Sequence, residues 1–81
     1  MNTTQIQDIT RDGQPAIKIT CGCKSHLLGA DSAVITGSAA VALASRKGKA
    51  QSDRIHGFVL MANHPAPMMR KASERAGVFA A

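Results

Sequence analysis

Residues 11–21 of this chain read Arg-Asp-Gly-Gln-Pro-Ala-Ile-Lys-Ile-Thr-Cys, and this stretch indicates where the chain first turns back on itself. Asp12-Gly13 is typical of a two-residue hairpin turn, because both central positions of that turn need a positive φ angle. After the turn, Ile17, Ile19 and Cys21 alternate with polar residues, as in a strand with one buried face. The sequence therefore predicts a β-hairpin over residues 4–21, with its apolar face covered by elements further along the chain.

Two interpretations fit the next segment, residues 30–49. Its alanine content, two basic residues near its end and Gly48 as a stop favour one long helix. The β-branched pair before Gly37 weakens that helix, because β-branched residues and glycine are poor helix formers. A short strand over 33–36, followed by a helix from Ser38, is the alternative.

The last third of the chain predicts one strand and one helix. The short apolar run over residues 55–62 is rich in β-favouring side chains and predicts a central strand. Two prolines follow it, and the sequence then predicts a helix over residues 67–76 with Gly77 as its stop. The apolar stripe expected to face the core is formed by Met68, Ala72, Ala76 and Phe79.

The predicted order of elements is β-β-α-β-α within one domain spanning residues 1–81. A three-stranded, mainly antiparallel sheet with two helices packed on one face would bury the apolar faces of both layers. The fold class is therefore α+β. Two Phe residues and no Trp or Tyr leave a small core, so we expect a homodimer or another stable complex.

All of the net charge of +5 lies beyond residue 37. Residues 1–37 carry three basic and three acidic side chains, whereas residues 38–81 carry seven basic and two acidic ones. The seven basic residues are Arg46, Lys47, Lys49, Arg54, Arg70, Lys71 and Arg75. Cationic side chains gain affinity for nucleic acid by releasing the counterions of its phosphates. We therefore expect a binding module whose C-terminal half contacts nucleic acid or a nucleic-acid-handling complex.

Contacts to the nucleic-acid backbone are expected rather than recognition of bases. Proteins that bind single strands stack the bases on exposed aromatic side chains. This chain has only two aromatic residues for that purpose.

The same features fit a second hypothesis, a phage-type inhibitor or adaptor that docks on a host protein complex. Its basic face would then bind acidic residues of that partner or displace the nucleic acid from it. A pull-down from a nuclease-treated lysate separates this hypothesis from direct binding of nucleic acid.

A third hypothesis is a domain stabilised by zinc. The sequence Cys21-x-Cys23-x-x-His26 supplies two thiols and one imidazole, and His56 or His64 could supply a fourth ligand. The predicted ligand set is Cys21, Cys23, His26 and His64. One residue between the two cysteines is fewer than zinc motifs usually have, and this spacing favours a buried strand thiol instead. Zinc is the one cofactor that the sequence brings into question.

An enzyme is not expected, and a cytoplasmic location is. The five acidic residues form no obvious pair, and the glycines do not follow a phosphate-loop pattern. Two cysteines this close cannot build a disulfide framework, which favours reduced thiols. The N-terminus lacks the pattern of a signal peptide. The longest uncharged run, residues 32–45, is shorter than the roughly twenty apolar residues that span a membrane.

Overall fold

A computed structural model describes residues 4–22 and 31–81 of the chain. These two ranges contain four strands and three helices. In chain order they are β1 (Gln5–Arg11), β2 (Gln14–Thr20), β3 (Ser32–Ile35), α1 (Gly37–Ala44), α2 (Gly48–Ala62), α3 (Pro67–Arg75) and β4 (Val78–Ala80). The strands form one antiparallel sheet in the order β1-β2-β3-β4. The fold is α+β with an antiparallel sheet, as the sequence predicts.

The predicted hairpin is confirmed. β1 and β2 pair in antiparallel register, and Arg11 faces Gln14 across the turn. Asp12 and Gly13 have φ angles of 52° and 78°, so both central residues adopt the left-handed conformation. This is the geometry that makes Asp-Gly favourable in a two-residue turn.

The prediction of one helix over residues 30–49 is wrong, and the alternative of a strand followed by a helix is confirmed. Ser32–Ile35 forms β3, which pairs with β2 on one side and β4 on the other. Gly37 then adopts a φ angle of 60° as the chain passes into α1. The β-branched residues and the glycine therefore outweigh the alanine content of the segment.

The predicted strand over residues 55–62 is also wrong, because this run is the second half of α2. Ile55, Val59 and Ala62 are its buried residues, and their spacing of four and three positions is that of one helix face. The β-favouring side chains between them give this run the composition of a strand, although its apolar residues have the spacing of a helix. α2 is the longest helix, and no helix among the described residues is long and apolar enough to cross a membrane.

The sheet has four strands, not three, and the predicted order of elements is wrong. The missed strand, β4, has only three residues and shows no period in the sequence. Gly77, with a φ angle of 87°, redirects the chain from α3 into β4. There the backbone N–H of Thr36 donates to the carbonyl of Gly77 at 2.8 Å, which joins the start of α1 to the turn before β4.

The core lies between one face of the sheet and the helices. It is formed by Ile19, Cys21, Ala33, Ile35, Ala39, Leu43, Ile55, Val59, Ala62 and Val78. Its members come from β2, β3, β4, α1 and α2. β1 contributes none of them, and most of its residues are exposed. Burial of Cys21, predicted from the alternation in β2, is confirmed.

α3 forms where the sequence predicts a helix, but the predicted apolar stripe is wrong. Met68 is 81% exposed, and Ala72 and Ala76 are exposed too. The buried position is Ser73, whose hydroxyl donates to the carbonyl of Arg70 at 2.9 Å. α3 therefore presents nearly its whole circumference to solvent.

Candidate nucleic-acid interface

All seven basic residues of the C-terminal half are exposed. Four of them lie just before α2 or in its first half and are called the α2 group here: Arg46, Lys47, Lys49 and Arg54. Three lie on α3 and are called the α3 group: Arg70, Lys71 and Arg75. None of the seven charges has to be moved out of the protein interior before it meets an anion.

A glycine places part of the α2 group at a corner between two helices. The sequence predicts Gly48 as the end of a helix, and this is wrong. Gly48 is the first residue of α2 and has a φ angle of 61°. Lys47 before it is extended, and α1 has already ended at Ala44. Arg46 and Lys47 therefore project from a short link between α1 and α2 rather than from the last turn of one helix.

One member of the α2 group is paired with a carboxylate. The ammonium of Lys49 lies 3.2 Å from a carboxylate oxygen of Asp53, one helical turn further on. Both side chains are largely exposed, at 88% and 67%. Exposed pairs with this spacing contribute only a few tenths of a kcal/mol. The pair therefore leaves Lys49 able to exchange Asp53 for another anion.

Arg54 is positioned by an aromatic ring. Its guanidinium carbon lies 5.1 Å from the ring centroid of Phe58, within the range of a cation–π contact. The two side chains line an open pocket of about 360 Å³ together with Asp53, Gly57 and Met61. The contact holds the guanidinium near the helix surface while its outer edge remains exposed.

The α3 group lies on the most exposed helix of the fold. Arg70 and Lys71 line a second open pocket, of about 240 Å³, with Pro67 and Glu74. Among residues 4–22 and 31–81, Lys49–Asp53 is the only ion pair, so the α3 group has no carboxylate within 4.0 Å there. Its charges are not neutralised inside this part of the chain.

The two groups lie on neighbouring helices, because α2 packs against both α1 and α3. Other basic side chains lie elsewhere. By strand register, Lys18 shares the sheet face of Val34 and Phe79, opposite the face that the helices cover. The guanidinium carbon of Arg11 lies 4.4 Å from the ring centroid of Phe79. Lys18 is therefore a basic residue on the opposite side of the sheet from the helices that carry the two groups.

The histidine next to Cys21 is His56, not the His64 of the predicted ligand set. The Sγ atom of Cys21 lies 3.4 Å from Nδ1 of His56. Nδ1 of His64 instead accepts the backbone N–H of Ala66 at 3.1 Å. Among the described residues, no group of three or more Cys, His, Asp or Glu side chains is arranged to hold a metal ion, so His64 does not join Cys21 and His56. The other predicted ligands, Cys23 and His26, lie outside the described residues.

The sequence does not predict two contacts between an arginine and an aromatic ring. The contact of Arg54 with Phe58 is spaced i, i+4 within a helix, so the spacing could have indicated it. The contact of Arg11 with Phe79 joins residues far apart in the chain and depends on the packing of the fold. The contact of Cys21 with His56, one of the two histidines that the sequence offers as its partner, follows once residues 55–62 are assigned to a helix packed on β2.

Comparison with family models, with curated proteins and with solved structures finds no match for this chain. The candidate interface therefore rests on the position and chemistry of its own residues.

Proposed function

We propose that this chain is a small non-enzymatic module that binds the phosphate backbone of nucleic acid. The α2 group and the α3 group supply the contacts. The observation that carries the proposal is that all seven basic residues are exposed on neighbouring segments, with one carboxylate partner between them in the described part of the chain. Seven cations of this kind are a typical electrostatic footprint for a polyanion.

The aromatic residues support contact with the backbone rather than with the bases. The chain has two Phe residues and no Trp or Tyr. The Phe58 ring is in contact with the guanidinium of Arg54, and the Phe79 ring with that of Arg11. A base that stacked on the ring face covered by a guanidinium would have to displace that arginine. Sequence preference should therefore be weak, because phosphate contacts carry no direct information on sequence.

The strength of binding should depend steeply on salt. Each phosphate neutralised on duplex DNA contributes about 0.9 to the slope of log K against log salt concentration. Contact by all seven basic residues would give a slope of about −6 by the same relation. A smaller slope would mean that fewer than seven of these residues contact phosphates, and dividing the slope by about 0.9 gives their number.

Fluorescence anisotropy with a labelled duplex of mixed sequence, measured from low to moderate salt, tests the proposal. Arg75→Gln removes one charge from the α3 group, and Lys18→Gln removes one charge from the far sheet face as its matched control. We expect Arg75→Gln to reduce the slope by about 0.9 and Lys18→Gln to leave it unchanged. No binding by the unmodified chain at low salt would refute the proposal.

A second candidate function is an inhibitor or adaptor, of phage type, that docks on an acidic protein surface. The exposure of Met68, which is 81% accessible on the same helix as Lys71 and Arg75, favours it. Helix docking in a protein groove uses apolar anchors, whereas a phosphate backbone offers no partner for a methionine. Met68→Ala should weaken capture of a protein partner from nuclease-treated lysate and leave the anisotropy of the duplex unchanged.

A further inference from the structure

Strand β1 forms one edge of the sheet, and no strand among residues 4–22 and 31–81 pairs with its outer side. Proteins protect such edges by keeping them short or by placing a proline, a lysine or a bulge there. The opposite edge, β4, has only three residues. β1 has seven residues, contains neither proline nor lysine, and pairs with β2 without a bulge from Gln5 to Arg11. β1 is therefore an edge to which a further strand can be added.

The strand register shows which backbone groups of β1 point outward. The N–H of Cys21 donates to the carbonyl of Asp31 at 2.8 Å, so the odd-numbered residues of β2 bond toward β3. The even-numbered residues of β2 then bond toward β1, where their partners are odd-numbered. The N–H and C=O groups of Ile6, Asp8 and Thr10 therefore point away from β2.

The distribution of charge favours a second copy of the chain as the added strand. The hairpin, residues 5–20, carries two acidic side chains, Asp8 and Asp12, and two basic ones, Arg11 and Lys18, so its net charge is zero. Residues 38–81 carry the whole net charge of +5, and two copies repel each other there. The β1 edge is thus where two copies can approach without repulsion, and a strongly charged partner would gain no net attraction to it.

The edge can also pair with itself without opposing like charges. In an antiparallel pair, outward-pointing residues exchange hydrogen bonds only with outward-pointing residues of the other strand. A two-fold axis at Gln7 or at Ile9 meets this condition and places Asp8 opposite Ile6 or Thr10 of the second copy. The two Asp8 carboxylates are then not directly opposite each other, a position in which like charges destabilise a sheet.

We propose that two copies of this chain pair through their β1 strands in antiparallel orientation and join their two four-stranded sheets into one. Ile6 lies opposite the core residue Ile19, so the outward-pointing residues share the sheet face that the helices cover. The helices of both copies then lie on the same side of the joined sheet. The proposal does not depend on the binding of nucleic acid.

Amide hydrogen exchange of the isotope-labelled full chain tests the proposal, with the oligomeric state measured by sedimentation at the same concentrations. We expect a dimer in which the amides of Ile6, Asp8 and Thr10 exchange at least about 10-fold more slowly than in the diluted, monomeric chain. The amides of Gln7 and Ile9 bond toward β2 and are the internal control. Their exchange should be slow at both concentrations.

Asp8→Pro tests the same pairing by removing one outward N–H group. Proline is tolerated on an edge strand where the N–H faces solvent, so circular dichroism should show that the fold is kept. The dissociation constant of the dimer should rise at least about 10-fold, because each dimer loses two hydrogen bonds. Asp8→Ala is the matched control: it also lacks the carboxylate but keeps the N–H, and it should dimerise as the unmodified chain does.

Three outcomes overturn the proposal. The first is a monomer at every concentration with fast exchange at Ile6, Asp8 and Thr10, which would leave the edge to a strand of another protein. The second is slow exchange of these amides in a monomer, because their partner would then belong to the same chain. The third is a dimer in which they exchange as fast as in the monomer. Should Asp8→Pro fail to fold, the exchange experiment on the unmodified chain decides.

Discussion

Helices α2 and α3 pack against each other and both carry basic residues, yet they are attached to the fold in different ways. α2 fully buries Ile55 and Val59 in the core. Its C-terminal end is fixed by Asn63, whose side-chain amide donates to the carbonyls of Ser32 and Val59 at 3.1 and 3.0 Å. α3 buries only Ser73 among its nine residues. The difference indicates that α2 combines a structural and a binding role, whereas α3 mainly presents side chains.

The largest expected effect is on stability, at the buried face of α2. Ile55→Ala should lower the free energy of unfolding by about 2–5 kcal/mol, because the side chain is fully buried and leaves a cavity. Met68→Ala on α3 is the control and should change it by less than about 0.5 kcal/mol, because Met68 is 81% exposed. Urea unfolding followed by circular dichroism measures both. Equal decreases in the free energy of unfolding would contradict the claim that α2 is anchored in the core and α3 is not.

The second effect concerns the turn that attaches α3 to the sheet. A Cβ atom on Gly77 would lie 2.7 Å from the carbonyl oxygen of Thr36, and its φ angle of 87° is unfavourable for other residues. Gly77→Ala should therefore lower the free energy of unfolding by more than the roughly 1–2 kcal/mol of a left-handed residue. Gly48→Ala is the matched control, since its φ is also positive and no atom lies within 4 Å.

A control that costs as much as Gly77→Ala would mean that the contact with Thr36 adds nothing. In that case the position of α3 would be fixed by backbone conformation alone.

The third effect is a gain in stability on the exposed side of α2. Gly57 lies inside the helix, and a Cβ atom there would meet no atom within 4 Å. Gly57→Ala should raise the free energy of unfolding by about 0.5–1 kcal/mol, because glycine is a poorer helix former than alanine. Thermal unfolding measures this change, and a lower melting temperature would contradict the assignment of residues 55–62 to a helix.

The smallest expected effect is at the surface ion pair of Lys49 with Asp53. Asp53→Asn should cost only a few tenths of a kcal/mol in stability, because both partners are exposed. It should also strengthen the binding of a duplex, since Lys49 no longer has a competing carboxylate. Glu74→Gln on α3 is the comparison, because no ion pair involving Glu74 forms among the described residues. Weaker binding by Asp53→Asn would exclude Lys49 from the interface.

Local chemistry explains which parts of the fold the sequence could predict. Two correct predictions are the hairpin turn at Asp12-Gly13 and the helix starting at Pro67. Both depend on the backbone preferences of a few adjacent residues. The residue types of the run over 55–62 predict a strand, whereas the spacing of Ile55, Val59 and Ala62 is that of one helix face, and the structure follows the spacing. β4 could not be found from its three residues alone, since only its pairing with β3 makes it a strand.

In the candidate site, too, features set by single residues could be predicted, and features set by packing could not. Exposure of the seven basic residues could be expected from their charge. Which face of α3 turns inward could not, because the position of α3 is set by its neighbours α2 and β4 rather than by its own apolar residues. For the same reason, Met68 was expected in the core and lies at the surface. The pairing of Cys21 with His56 likewise depends on how α2 packs on the sheet.

The most direct test of the central claim, that the α2 group and the α3 group act as one surface, compares two triple variants in the same anisotropy experiment. Arg46→Gln, Lys47→Gln and Arg54→Gln neutralise most of the α2 group, and Arg70→Gln, Lys71→Gln and Arg75→Gln neutralise the α3 group. One shared surface predicts that each triple variant reduces the salt slope on a single duplex by about 2.7. A slope that changes in only one of the two variants, or in neither, would contradict it.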